Sequence, residues 1–114
     1  MTIRGKKLLL TIIEDIHDIE NAILQFKSND VNVFLNNRLV QKCVVMSLIN
    51  ISEAISELSH KCVSNENINW KQFKKLRNIA AHKYGVINFV LVWNIVKKNI
   101  PDFKKGIEGL INEI

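Results

Sequence analysis

The sequence predicts an all-α fold, an antiparallel bundle of four to five helices. Three observations predict it. The 114 residues include one proline and four glycines, too few for the turns of an all-β chain. Apolar residues recur at steps of three and four in every long segment, the period of a helix with one buried face. No linker, repeat or low-complexity stretch interrupts them, so residues 1–114 read as a single domain with one core.

The first helix is expected from about Thr2 to Phe26. Leu9, Ile12, Ile16, Ile19, Ile23 and Phe26 form its apolar stripe. Leu8, Leu10 and Ile13 widen that stripe, which fits either an oligomer contact or a helix well buried in its own bundle. Ser28-Asn29-Asp30 stops this helix and caps the next. A short amphipathic segment, Val31 to Leu35, leads into a long helix from about Arg38 to Cys62. Val40, Val44, Leu48, Ile51, Ile55, Leu58 and Cys62 are its inner residues.

After a polar break at Ser64–Asn67, a further helix is expected from Trp70 to about Tyr84, where Gly85 is a natural stop. The last stretch runs from about Asn88 to Ile114. Its seven-residue repeat of Phe89, Trp93, Val96, Ile100, Phe103, Ile107, Leu110 and Ile114 passes straight through Pro101. Proline lacks a backbone donor and crowds the preceding turn. A kinked helix, or two collinear helices meeting at Asn99 to Pro101, is therefore expected.

The net charge of +5 favours contact with polyanions without naming one. Cys43 and Cys62 are too few for a disulfide framework and form no C-x-x-C pair, so both read as reduced core residues of a cytosolic protein. Arg4, Lys6 and Lys7 before Leu8 to Ile13 imitate a signal peptide, but Glu14, Asp15 and Asp18 interrupt the apolar run. No stretch is read as a membrane span, and a cytoplasmic location without membrane contact is expected. His17, His60 and His82 fall on three segments, so no metal site is expected. His17 among Asp15, Asp18 and Glu20 reads as surface pairing on the polar side of the first helix.

The chemically informative segment is Lys74 to Gly85, which sets a guanidinium, an imidazole and a phenol near one helix end among lysines. RNA cleavage needs such groups. Arg77 can hold two phosphate oxygens and stays charged. His82 can take the 2′-hydroxyl proton or protonate the leaving oxygen. The bland alternative is that Arg and His near a helix C-terminus merely complement its dipole. Five residues also rotate by about 500° on a helix, so Arg77 and His82 point roughly 140° apart. They can converge if the last turn loosens. They can also converge across a twofold axis that brings two copies of the motif together, and the second arrangement is the preferred reading.

The segment Arg77-Asn78-Ile79-Ala80-Ala81-His82-Lys83-Tyr84 reads R-x4-H-x-Y with a polar residue after the arginine. It resembles the HepT branch of the HEPN ribonuclease superfamily. Trp70, Leu76-Arg77-Asn78, Tyr84-Gly85, Val92-Trp93-Asn94-Ile95-Val96-Lys97 and Ile100-Pro101 resemble that branch in order and spacing, and Asn50-Ile51-Ser52-Glu53-Ala54 resembles its central helix.

The resemblance implies a HEPN-like homodimer that acts as the toxin of a toxin–antitoxin pair. It implies metal-independent endoribonuclease chemistry with no cofactor. The partner would be an MntA-like nucleotidyltransferase antitoxin that moves AMP from ATP onto the motif tyrosine. Carried over, Arg77 and His82 are catalytic, Asn78 orients the site, and Tyr84 is the AMPylation acceptor. Glu53 is a candidate support for Arg77, and Lys74, Lys75 and Lys83 are candidate RNA contacts; each also reads as an ordinary solvated charge. Lys97, Lys98, Lys104 and Lys105 form a second basic region, read mainly as solvated. The alternative function is a non-catalytic HEPN module that partners a minimal nucleotidyltransferase.

Overall fold

The computed structural model describes residues 3–27, 29–59 and 87–112. Their elements are α1 (Ile3–Gln25), α2 (Val31–Leu35), α3 (Arg38–Ser59), α4 (Phe89–Asn94), a π turn (Ile95–Asn99) and α5 (Ile100–Asn112). The described residues contain no strand, as the composition predicts. The helix expected over Trp70 to Tyr84 lies outside the described residues, as does Cys62.

α1 and α3 run antiparallel. Arg4 near the start of α1 pairs with Glu57 near the end of α3, and Asp15 accepts a hydrogen bond from Asn50 halfway along. The expected stripes form the seam. Leu9, Ile12, Ile16 and Ile19 of α1 meet Val40, Val44, Leu48, Ile51, Ile55 and Leu58 of α3, all essentially removed from water. Each such side chain contributes about 1.5–3 kcal/mol relative to exposure. The widening residues of α1 divide: Leu8 and Ile13 pack against this core, while Leu10 is 44% exposed. Phe26, expected on the inner stripe, is 45% exposed, because the helix has already ended.

α1 stops where Lys27 takes a left-handed conformation, φ 52°. That is an unusual role for a residue with a Cβ. Asp30 then caps α2, its carboxylate accepting from the Asn32 N–H at 2.7 Å. α5 lies antiparallel on α1, tied by Lys104 to Glu20 at 3.1 Å. Phe103, Ile107 and Leu110 are buried there.

The proline region is a continuous helical run with a widened turn just before Pro101. The helix does not break at Asn99 to Pro101. Ile100 keeps helical angles, φ −59° and ψ −44°, and its N–H reaches back five residues to the Ile95 carbonyl. The turn before the proline is widened. A wider turn relieves the crowding that a proline ring imposes on the carbonyl four residues earlier, here that of Lys97.

Two further readings need correction. Cys43 is exposed rather than core, because it falls in the outer row of α3, four residues after exposed Leu39 and three before exposed Met46. Asp15 is buried rather than on the polar side of α1, because it follows Ile12 by three and precedes Ile19 by four on the inner stripe.

By length and composition alone α3 is apolar enough, over Arg38–Leu58, to cross a bilayer. Its apolarity is accounted for by burial, since more than half of that window lies inside the protein, as in a core helix.

Candidate active site

Arg77, Asn78, His82 and Tyr84, with Lys74, Lys75 and Lys83, lie outside the described residues. The structure places the frame to which that segment is joined. The described chain leaves off at Ser59, the end of α3, and resumes at Ile87.

The resumption point is a corner built from α2 and α4. Phe34, fully buried on α2, meets Phe89 edge-on with ring centroids 6.5 Å apart and Trp93 at 5.2 Å. Asn88 caps α4, its side-chain oxygen accepting from the N–H groups of Val90 and Leu91 at 3.1 and 3.2 Å. Gln41, buried on α3, donates through Nε2 to the carbonyls of Phe34 and Leu35 at 3.1 and 2.9 Å. The bond to Leu35 satisfies a carbonyl that the end of a five-residue helix leaves open, and the Phe34 carbonyl accepts also from the Asn37 N–H at 3.3 Å.

α2 directly precedes α3, so this corner sits at the N-terminal end of α3. A helix of 22 residues is about 30 Å long. Ser59 and Ile87 thus stand at opposite ends of the bundle, roughly that distance apart.

Glu53 is the one predicted site residue that the structure describes. It is exposed on the outer face of α3, between Asn50 and Glu57 at helical steps. Glu57 is held by Arg4, whereas Glu53 has no ion pair among the described residues. The guanidinium it was expected to support, that of Arg77, is not among them.

Beside this face lies the one buried carboxyl of the described residues, Asp15. Burial raises its pKa from the ordinary 3.8. The hydrogen bond from Asn50 acts in the opposite direction, and the charges of Asp18 and Glu14 add to the rise. Cys43, near Asp18, is likewise held above its ordinary value by partial desolvation and by that carboxylate, so its thiol stays protonated and a weak nucleophile. Among the described residues no group of three or more His, Cys, Asp and Glu is placed to hold a metal ion.

Sequence reasoning missed Asp15, Asn50 and Gln41. For Asp15 the signal was available, since its position completes a buried row of Ile12, Asp15, Ile19 and Ala22.

The family model described as Ribonuclease HepT-like matches residues 9–110. This chain belongs to the HepT-like ribonuclease family. The match runs from Leu9 of α1 into α5, and it spans Arg77, His82 and Tyr84. Among curated relatives, Putative RNase MJ1380 of Methanocaldococcus jannaschii is 34% identical over 106 residues, covering 91% of this chain and 97% of that protein. Putative RNase MJ0127 of the same organism is 32% identical over 112 residues, covering 96% and 92%. Gamma-glutamylcyclotransferase and putative RNase MJ0434, also from M. jannaschii, is 32% identical over 104 residues, covering 90% of this chain and 46% of that longer protein. No solved structure matches the chain. HepT-like membership supports ribonuclease activity in general, and the all-helical frame accords with it.

Proposed function

We propose that this HepT-like chain is the toxin of a two-gene toxin–antitoxin system and a metal-independent endoribonuclease of the cytoplasm. The observation that carries the reading is the complete R-x4-H-x-Y motif, Arg77 to Tyr84, inside the matched span of residues 9–110.

In this reading Arg77 binds two oxygens of the scissile phosphate and stabilises the charge that grows on them. His82 removes the proton of the 2′-hydroxyl as its oxygen attacks phosphorus. The 5′-oxygen leaves and takes a proton from a second imidazole, that of His82 in the other copy of a homodimer. The products are a 2′,3′-cyclic phosphate and a free 5′-hydroxyl. Asn78 orients the phosphate, and Lys74, Lys75 and Lys83 draw in the strand. Glu53 steadies Arg77.

Tyr84 is the control point. An MntA-like nucleotidyltransferase transfers AMP from ATP to its phenol oxygen, releasing pyrophosphate. The new phosphate lies two residues from His82, where it competes with RNA for Arg77 and Lys83.

Expression in a bacterial host with and without the neighbouring gene tests the reading. Arg77→Ala or His82→Ala should relieve growth inhibition and lower RNA cleavage about 10²–10⁴-fold, with the helical content unchanged and cleavage by the parent unaffected by chelator. Undiminished cleavage by both folded variants would remove the assignment. With the partner and ATP, a mass increase on the parent that persists in Tyr84→Phe would remove the switch.

A further inference from the structure

Lys27 meets three lysines from the other end of the sequence around one groove. It lies between the C-terminal half of α1 and the π turn and α5, has a volume of about 780 Å³, and includes Lys27, Lys97, Lys104 and Lys105 in its lining. Its floor is apolar, with Ile19, Ile23, Val96 and Ile100 buried in its lining, and exposed Leu24 and Pro101 extend the apolar lining outward.

The charges of the rim are unbalanced. Glu20 and Glu108 are the groove's two carboxylates, and Glu20 is bound by Lys104 at 3.1 Å. Lys27, Lys97 and Lys105 remain against Glu108 alone. Lys97 is held in place, its ammonium 4.9 Å from the centre of the Trp93 ring and donating to the Asn29 side chain. Lys27 stands on the left-handed turn that ends α1. An apolar floor beneath excess positive charge focuses that charge toward an anion in the groove.

We propose that this groove binds single-stranded RNA, holding the flank of the substrate away from the scissile bond. The inference rests on the ribonuclease reading and extends it to a surface with no part in the chemistry. Lysines around the rim suit phosphates, and the apolar floor suits the faces of bases. A duplex hides those faces in its own stack, so the groove selects a single strand. The groove lies on the same helical rod that begins at the corner where the motif segment rejoins the described chain. Val96 is nine residues beyond Ile87, or about 13 Å along a helix, so the groove begins a short distance from the point where the described chain resumes.

The test uses His82→Ala protein, to prevent cleavage, with a fluorescein-labelled single-stranded oligoribonucleotide and the same sequence as a duplex. Binding is measured by anisotropy across a salt series. In that background Lys27→Glu with Lys105→Glu should weaken single-strand binding at least tenfold. It should lower the slope of log K against log salt by about 1.4, for two lost phosphate contacts. Lys6→Glu with Lys7→Glu, the same change of net charge on exposed residues of α1 outside the groove, should change little.

Equal losses in both pairs would mean that only net charge matters, and unchanged binding in the first pair would mean that RNA does not use the groove. Either result overturns the proposal while RNA cleavage by the wild-type chain leaves the ribonuclease reading intact. A change in elution volume on Lys27→Glu with Lys105→Glu, without loss of RNA binding, would assign the groove to a protein contact instead. A parent that neither binds nor cleaves RNA would overturn both readings.

Discussion

The α1–α3 seam and the α2–α4 corner hold together by different means. The seam is long, regular and almost entirely aliphatic, with Ile12, Ile16, Ile51 and Ile55 sealed from water. The corner is short. It depends on one aromatic side chain, Phe34, wedged against Phe89 and Trp93, and on side-chain hydrogen bonds from Gln41 and to Asn88. The seam distributes its stability over many equivalent contacts. The corner concentrates it in a few, and it is also where the motif-bearing segment rejoins the described chain. Damage of equal size should therefore have unequal functional effects.

Phe34→Ala and Ile51→Ala test that directly. Truncating a buried Phe costs about 3–5 kcal/mol and a buried Ile about 2–5 kcal/mol, so the two variants should have similar denaturation midpoints. Their RNA cleavage should differ. The activity of Ile51→Ala should follow its folded fraction, because the seam only holds the scaffold. Phe34→Ala should fall further, because the start of α4 loses its anchor. Equal activity per folded molecule would show that the corner does not position the site.

Gln41→Leu sharpens the same comparison with less damage. The substitution keeps the volume but removes the donors to the Phe34 and Leu35 carbonyls. The Phe34 carbonyl keeps the Asn37 N–H at 3.3 Å, but the part-buried Leu35 carbonyl loses its donor, and an acceptor left without a partner costs about 1–3 kcal/mol. The variant should lose stability in that range, measured by urea denaturation, and show the activity deficit of Phe34→Ala in milder form. A stability equal to wild type would mean that water replaces the amide and that the corner does not depend on Gln41.

The two regions were not equally legible in the sequence. The seam was, because a period of three and four over twenty residues leaves few alternatives: every residue from Val40 to Leu58 assigned to the inner stripe of α3 is buried. The cap before α2 was legible too, since Asp30 is a small polar residue just before an apolar run, whereas in the sequence Asn88 marks only the start of the last stretch. The π turn was not legible. Val92, Val96 and Ile100 are spaced by four, a spacing that an α-helix and a locally widened one both satisfy, so the repeat hides where the extra room sits. The groove was illegible in principle, because Lys27 and Lys105 come together only once α5 lies on α1. The motif from Arg77 to Tyr84 was legible as a resemblance. Its helical phase alone separates the arginine from the histidine and would not have suggested a site.

Asp15 is where the seam departs from its own rule, and it gives the smallest predicted effect. Burial raises its pKa from 3.8 despite the hydrogen bond from Asn50. The folded protein therefore keeps this proton to a higher pH than the unfolded chain does. Between 3.8 and the raised value the folded state holds more protons than the unfolded one, so stability falls as pH rises, and above that window the full penalty remains. Asp15→Asn cannot ionise and still offers Asn50 an amide oxygen. Its melting temperature should exceed that of wild type at pH 7 by a small margin, and the margin should close as the pH is lowered toward and below 3.8. A margin that instead grew in acid would mean that the carboxylate is favoured at this position, and that the Asp15–Asn50 contact is a charged anchor of the seam rather than a tolerated polar exception within it.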